Sequence, residues 1–273
     1  MTAGHPLAVE AAGTRLMGER WPGTAGSPVA VILHSAVTDR RSWRGVAELL
    51  APRATVVTYD RRGFGETAPP TARFSHLADL QALLDAVVEG PVWLVGNSAG
   101  GRLALDLALV EPNRVAGLVL VAPAVSGAPS PALDPATQRL DGLIETALAA
   151  GDLEQANRWD TWLWLDGPGE REGRVGGAAR DLALEMNALI LRNRRPELAV
   201  PSGSDTWGRL AEVRCPVTVV CGDRDVPSLR ERCEELARRL PRARLQVLHG
   251  VAHTPSLERP GMMAELLAAA VGA

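Results

Sequence analysis

The most constraining feature of the chain is a serine set among small residues, between an apolar segment and a helical one. Residues 92–95 read Val-Trp-Leu-Val, residues 96–101 read Gly-Asn-Ser-Ala-Gly-Gly, and residues 102–109 are rich in leucine and alanine. A chain that turns from a strand directly into a helix strains the central residue, and only small neighbours let the two backbones pass closely. The pattern therefore predicts a tight strand–helix turn that projects the Ser98 hydroxyl above a sheet.

Ser98 is a candidate nucleophile in this turn. The start of the following helix would place the Ala99 N–H and the positive end of the helix dipole beside it, where an oxyanion is stabilised. A glycine-rich turn that binds a nucleotide is the alternative interpretation. The segment has neither the Lys-Ser/Thr ending of a phosphate loop nor a G-x-G-x-x-G motif, so the nucleophile interpretation is favoured.

Apolar strands and helices alternate on both sides of this turn. The predicted strands cover residues 29–33, 54–60, 92–97, 116–121, 217–221 and 245–248; the predicted helices cover residues 43–50, 74–88, 102–109, 229–240 and 261–271. A β-hairpin is expected over residues 9–20. Such alternation is typical of a parallel sheet covered on both faces by helices, so the predicted fold class is α/β.

The alternation is interrupted after the predicted strand 116–121. A proline-rich segment leaves the sheet, and helical stretches follow near residues 136–150 and 180–192, separated by a tryptophan-rich segment at 159–169. This region is most simply a helical insertion. We therefore assign residues 1–124 and 206–273 to one core domain and residues 125–205 to the insertion.

Composition excludes several functional classes. The formal net charge of −3 over 273 residues gives no electrostatic reason to expect nucleic acid as a partner. Cys215, Cys221 and Cys233 lack C-x-x-C spacing and a nearby histidine pair, so neither a disulfide framework nor a metal site is expected. The chain has no signal-peptide pattern and no stretch of ~18 apolar residues. We expect no membrane partner and a cytoplasmic location.

Four stretches together resemble the α/β-hydrolase family. They are the serine turn; Leu-His-Ser-Ala at 33–36 with Trp43 downstream; Tyr-Asp-Arg-Arg-Gly-Phe-Gly at 59–65; and the tail from Gly-Asp-Arg-Asp at 222–225 to Gly-Val-Ala-His at 250–253. The resemblance covers the chain apart from the insertion. It implies the α/β-hydrolase fold, with a mostly parallel central sheet and a helical cap formed by the insertion. It also implies a capped serine hydrolase of the esterase, enol-lactonase or cofactor-free perhydrolase type, with neither metal nor organic cofactor.

In this family the nucleophile, the acid and the histidine follow one another along the chain, which implies a triad of Ser98, Asp225 and His253. Only two histidines follow Ser98. His253 is preferred to His249 because it lies in the loop beyond the last predicted strand, whereas His249 ends that strand. The family's Gly-x-x-Asp motif places the catalytic carboxylate at Asp225, and Asp223 is expected to shape the turn.

The family's register places the oxyanion-hole donors at the Ala36 and Ala99 N–H groups. Ser35 stands where relatives usually have a glycine, which eases an unusual backbone conformation. The geometry of this turn matters because the loss of one oxyanion donor costs ~10²–10³ in rate. His34 is expected to be structural, its ring bonded to nearby backbone. The paired arginines of residues 60–65 invite an anion-binding interpretation, but relatives keep this turn whatever their substrate, so we expect it to brace the sheet edge.

The resemblance implies acyl transfer to water, on an ester or related bond of a small, largely apolar substrate. The candidate substrate-binding residues are Ser35, Trp159, Trp162 and Trp164, although the shared helical face of Trp159 and Trp162 is more typical of packing between the cap and the core than of ligand contact. Two alternatives stay open: the same triad used for C–C bond hydrolysis, enol-lactone opening, perhydrolysis or a biosynthetic cyclase or lyase step, and a non-catalytic small-molecule binder. The expected partner is a small molecule, and a homo-oligomer is left open.

Overall fold

The computed structural model describes residues 4–272, and within that range one eight-stranded sheet forms the centre of the molecule. Its strands are β1 (His5–Ala11), β2 (Thr14–Trp21), β3 (Val29–Leu33), β4 (Thr55–Tyr59), β5 (Val92–Asn97), β6 (Val115–Val121), β7 (Val217–Gly222) and β8 (Ala243–Leu248). Their order is β1-β2-β4-β3-β5-β6-β7-β8. β2 runs antiparallel to both of its neighbours, and all other pairs are parallel. The prediction of an α/β fold with a mostly parallel sheet is confirmed.

Helices cover both faces of this sheet. The covering helices include α1 (Arg44–Leu50), α2 (His76–Val87) and α3 (Ala99–Val110); α4 (Pro135–Ala149), α5 (Leu153–Thr161) and α6 (Gly177–Asn193) lie in the segment between β6 and β7 and pack on one another; α7 (Pro227–Arg239), α8 (Pro255–Glu258) and α9 (Pro260–Val271) follow in the core. Successive strand residues point to opposite faces. Thus Val31 and Leu33 pack with α2, α3 and α7, whereas Ala30 and Ile32 pack with α1 and α9. None of the helices within residues 4–272 is both long and apolar enough to span a lipid bilayer.

The turn between β5 and α3 depends on small residues, as the sequence predicts. A Cβ atom at Gly100 would overlap the Leu33 carbonyl oxygen, and one at Gly96 would lie 2.5 Å from the Gly100 carbonyl oxygen. A Cβ at Gly101 would lie 2.6 Å from the Pro123 side chain. The start of α3 therefore packs directly against the ends of β3 and β6.

The segment between β6 and β7 contains more helix than the sequence predicts. We expected residues 159–169 to connect two helices, but α5 occupies residues 153–161 and continues into a π-helical turn at residues 162–166. The Asp152 side chain caps α5 by accepting a hydrogen bond from the Gln155 N–H. Gly167, with φ 97°, ends the π-helical turn. The prediction of a connecting segment is wrong because the Gly-Pro-Gly sequence that breaks the helix lies after the tryptophans.

Both ends of this insertion are tied to α3 through the buried carboxylate of Asp106. The hydroxyls of Ser126 and Ser202 donate to Asp106 at 3.0 and 2.7 Å, and the Thr206 hydroxyl donates to its other oxygen. Ser126 follows β6, whereas Ser202 and Thr206 precede β7. The chain therefore leaves and re-enters the core at one place, and the domain boundaries given above remain a prediction.

Substitution of Gly100 tests the close approach at the serine turn. We expect Gly100→Ala to lower the free energy of unfolding by roughly 3 kcal/mol, since the added methyl group has no space against the Leu33 carbonyl. The matched control is Gly142→Ala in α4, where an added Cβ meets nothing within 4 Å. That change should raise the free energy of unfolding by up to about 1 kcal/mol. Urea denaturation measures both values, and similar effects at the two sites would contradict the packing argument.

Candidate active site

Ser98 lies in a strained backbone conformation, with φ 54° and ψ −113°, which L-residues rarely adopt. Its N–H donates to the Val121 carbonyl at 2.9 Å, and its own carbonyl accepts from the Ala124 N–H at 3.0 Å. These two bonds to the end of β6 hold the turn in place. The side chain is half-buried, and its hydroxyl has no hydrogen-bond partner within residues 4–272.

His253 and Asp225 form a buried pair at the same edge of the sheet. His253 Nδ1 lies 2.8 Å from Asp225 Oδ2, and the two side chains are 2% and 0% exposed. The second carboxylate oxygen accepts the Val226 N–H at 2.7 Å. Asn97, the residue before Ser98, donates its side-chain amide to the His253 carbonyl at 3.2 Å. The loop that carries His253 is thus bonded directly to the serine turn.

Asp223 and His249, the alternatives for these roles, lie in an exposed turn. Asp223 Oδ1 accepts the Gly250 N–H at 2.7 Å, and Oδ2 lies 3.1 Å from Nδ1 of His249, whose side chain is 86% exposed. Partial burial alone would raise the pKa of Asp223, but the bonds from Gly250 and His249 outweigh it and hold that pKa below its ordinary value. Asp223 therefore shapes the turn that delivers His253.

The turn after β3 carries His34, Ser35 and Ala36. The His34 ring donates from Nδ1 to the Ser35 carbonyl at 2.7 Å and accepts the Arg61 N–H at Nε2. Burial, reinforced by the charge of Arg61, lowers the pKa of His34 well below its ordinary value. The ring is therefore a neutral structural group.

Ser35 does not reach the cavity described below, contrary to its assignment as a substrate-binding residue. Its side chain is fully buried, and its hydroxyl lies 2.9 Å from the Thr38 hydroxyl and accepts the Val37 N–H at 3.3 Å. The hydroxyl thus holds the turn that presents Ala36. Within that turn, Ala36 is the residue that faces the cavity.

Two of the three tryptophans assigned to substrate binding pack the insertion instead. The rings of Trp159 and Trp162 lie 5.8 Å apart, and both join an apolar cluster with Leu140 and Val226. The Trp164 ring alone reaches the site, 4.7 Å from the His253 imidazole. None of the three lines the cavity described below. A helical face rich in tryptophan is therefore used here for packing between helices.

A cavity of about 400 Å³ opens beside the serine turn; Ala36 and Ala99 line it, whereas Ser98, Asp225 and His253 do not. Its other walls come from α2, α3 and residues 190–202 of the insertion. The apolar lining includes Phe64, Phe74, Leu77, Leu103 and Ile190, and the basic lining consists of Arg61, Arg62, Arg102, Arg194 and Arg195. Sequence reasoning missed this lining, although the arginine pair at 61–62 was a signal for it.

Among the described residues, no group of three or more His, Cys, Asp or Glu side chains could hold a metal ion.

Arg174 of the insertion is hydrogen-bonded to the loop that carries His253. Its guanidinium donates to the carbonyls of Leu165 and Gly250 at 2.8 and 3.0 Å and to Glu258. Glu258 also accepts the Ala252 N–H at 2.8 Å. Burial raises the pKa of Glu258 from 4.5 to about 7, although the Arg174 charge opposes the shift.

Glu258 gives the stability of the protein a defined pH dependence. Its pKa is higher in the folded state, so the folded chain binds a proton more tightly and its stabilising contribution is complete below pH 4.5. That contribution is lost as the pH rises through about 7. We expect the free energy of unfolding of the wild type to fall by on the order of 3 kcal/mol relative to Glu258→Gln between pH 5 and pH 8. Urea denaturation of both proteins measures it, and a pH-independent difference would contradict the assignment.

Comparison with known proteins agrees with the fold. A family model described as the alpha/beta hydrolase family matches residues 30–266. The chain is 30% identical over 244 residues to a pimeloyl-[acyl-carrier protein] methyl ester esterase of Nitrosomonas europaea, covering 87% of this chain and 93% of that one. It is also 30% identical over 197 residues to lipase LipV of Mycobacterium tuberculosis, covering 69% of each.

A crystal structure of a hydrolase from Pseudomonas aeruginosa PA01 superposes with a TM-score of 0.76 at 26% identity, covering 99% of this chain and 100% of that one. The enol-lactonase of Burkholderia xenovorans LB400 has the same TM-score at 19% identity, covering 98% and 100%, and shares the fold. The family match spans far more than half of the described residues. The chain therefore belongs to the α/β-hydrolase family.

Proposed function

We propose that this hydrolase cleaves an ester or related acyl bond, with Ser98 as nucleophile, His253 as general base and Asp225 as the group that orients the imidazole. The observation that carries the proposal is the buried His253–Asp225 pair, whose loop is bonded to Asn97 directly before Ser98. Two curated relatives, named as an esterase and a lipase, support ester chemistry. The specific activity proposed is that of a carboxylic ester hydrolase (EC 3.1.1).

The His253 tautomer follows from its hydrogen bond. Because the Asp225 carboxylate accepts at 2.8 Å, His253 Nδ1 carries the proton and Nε2 is left as the basic nitrogen. Nε2 would take the Ser98 proton as the hydroxyl attacks the carbonyl carbon, and Asp225 would stabilise the imidazolium that forms. The imidazolium then protonates the leaving alcohol, and water repeats the cycle on the acyl-enzyme. Serine–histidine bonds often tighten only when substrate binds.

The oxyanion would be received by the N–H groups of Ala36 and Ala99. Both residues line the cavity, and Ala99 directly follows Ser98. Ser35, which stands in the usual glycine position, supports this arrangement, since its hydroxyl holds the Val37 N–H and pairs with Thr38. We therefore expect a competent oxyanion hole.

The helical insertion at 125–205 would act as a cap over this site. The Trp164 ring lies 4.7 Å from the His253 ring, tilted by 48°, and Ile190, Arg194 and Arg195 line the cavity. A closed site excludes water and strengthens electrostatic interactions with the reacting group. The core domain would then comprise residues 1–124 and 206–273.

Replacement of Ser98 tests the nucleophile. We expect Ser98→Ala to lower kcat for p-nitrophenyl butyrate by at least about 10³-fold, because the acyl-enzyme cannot form. The control is Ser130→Ala at an exposed position of the proline-rich segment, which should retain wild-type activity. Equal rates for wild type and Ser98→Ala would exclude this mechanism. A wild type that is inactive on p-nitrophenyl acetate, butyrate and octanoate would exclude simple esters as its substrates.

Substitution of Asp225 and of Asp223 tests which carboxylate orients the His253 imidazole. We expect Asp225→Asn to lower kcat by ~10³–10⁴, because an amide at this position disfavours the Nδ1–H tautomer of His253. Asp223→Asn, in the exposed turn, should cost less than about tenfold. Steady-state kinetics on p-nitrophenyl butyrate distinguishes them, and the reverse order would assign the acid to Asp223.

A further inference from the structure

Arg61 is a buried cation without a counter-ion. Its side chain is 4% exposed, and no carboxylate lies within 4.0 Å of it among residues 4–272. One terminal nitrogen donates to the carbonyls of Ser35 and His34 at 2.7 and 3.3 Å, while Nε is buried with no hydrogen-bond partner. A buried charge and an unmet donor are both costly. Because Arg61 lines the cavity, a group bound there could satisfy both.

The neighbouring arginines of this region are paired in the ordinary way. Arg62 donates to both oxygens of Asp79, at 2.8 and 2.7 Å, and Arg40 pairs with Asp60. These pairs brace the edge of the sheet, as expected for this turn. Arg61 takes no part in these ion pairs; its guanidinium bonds the carbonyls of Ser35 and His34 and lies 4.5 Å from the centre of the Phe64 ring, and none of these groups carries a negative charge.

Further positive charge surrounds the same cavity. Arg102 is exposed on α3, one helical turn after Ser98, and forms no ion pair within the described part of the chain. Arg194 and Arg195 reach the cavity from the insertion. Asp106 is the acidic lining residue, and three hydroxyls donate to its two oxygens. The five arginines of the lining outnumber this one carboxylate, so the lining carries a net positive charge.

His76 adds a second unmet hydrogen-bonding atom to this wall. Its Nδ1 is buried without a partner, and its ring lines the cavity. Burial, followed by the charges of Arg61, Arg102 and Arg62, lowers the pKa of His76 to about 3. The ring is therefore neutral and carries one N–H that can donate. An oxyanion would accept from this ring and from the guanidinium of Arg61.

We propose that the cavity wall formed by Arg61, His76 and Arg102 binds a carboxylate or phosphate group carried by the substrate. The preferred substrate is then an ester with a second, anionic group, held on this wall while the ester carbonyl lies at the end of the cavity near Ala36. Phe64, Phe74, Leu103 and Ile190 would contact the hydrocarbon between the two groups. This replaces the expectation of a largely apolar substrate, and it rests on the proposed function for the position of bond cleavage.

Two matched ester pairs test the proposal by turnover. The first is p-nitrophenyl hydrogen adipate against its neutral methyl ester, with the charge on the acyl side. The second is 4-acetoxybenzoate against methyl 4-acetoxybenzoate, with the charge on the leaving group. We expect kcat/KM to favour the anionic member of at least one pair by about tenfold, and the preference to fall with added salt. Turnover of neutral esters without any preference in either pair would overturn the anion site and leave the hydrolase assignment intact.

Variants of Arg61 and Arg102 test whether these residues cause the preference for anionic esters. Arg61→Met and Arg102→Gln should each lower the anionic-to-neutral ratio of kcat/KM severalfold, and Arg61→Lys should retain part of it. The ratio is the readout because Arg61 also holds the Ser35 carbonyl. The control is Arg238→Gln, an exposed arginine of α7 that forms no ion pair within residues 4–272 and does not line the cavity. It should leave the ratio unchanged, and an unchanged ratio in Arg61→Met and Arg102→Gln as well would refute the assignment.

Binding to Ser98→Ala tests the wall without catalysis. Isothermal titration calorimetry with adipate, inorganic phosphate and the neutral 1,6-hexanediol should detect binding of an anion and at least tenfold weaker binding of the diol. Binding of phosphate alone would assign the wall to phosphoryl groups, and binding of adipate alone to carboxylates. Anion binding that persists in Arg61→Met, or that is absent for both anions, would overturn the proposal. If no ester is turned over, this experiment still decides the anion site.

Discussion

The close approach of α3 to the ends of β3 and β6 is the constraint on which the site depends. Gly100 lies against the Leu33 carbonyl, with no space for a side chain, and the strained Ser98 is held by two backbone bonds from the end of β6. Asn97 adds a bond to the His253 loop. Several strand ends are thereby fixed around one hydroxyl. Such preorganisation is what acyl transfer needs, because the donors must already point to where charge develops.

The arginines with little solvent exposure fall into two groups, those with a carboxylate partner and one without. Arg40, Arg62 and Arg174 have carboxylate partners and join distant parts of the chain. Arg61 has none, although it is more buried than any of them. A structural ion pair offsets its desolvation within the protein, whereas an unpaired cation in a cavity gains that compensation when an anion binds. On the proposal made above, this difference separates the arginines that support the fold from the one that binds the substrate.

The sequence predicts the strands and most of the helices, because local periodicity determines them. It also predicts that Ser98, Asp225 and His253 lie in turns or loops that follow strands, because motif spacing fixes these positions. It does not predict α5, because a polar helix capped by Asp152 leaves a weak apolar pattern. Nor does it show that Trp159 and Trp162 face other helices, or that Arg61 lacks the partner that Arg62 has. Each of these depends on contacts between residues far apart in the chain, which no local pattern encodes.

The central claim is that Ser98 is activated by the His253–Asp225 pair. The most direct measurement is labelling with a fluorophosphonate, followed by mass spectrometry of the digested protein to find the modified residue. The account predicts one adduct per chain, on Ser98, and its loss in His253→Ala under conditions where that variant remains folded by circular dichroism. An adduct on another residue, or no adduct on the folded wild type, would contradict it.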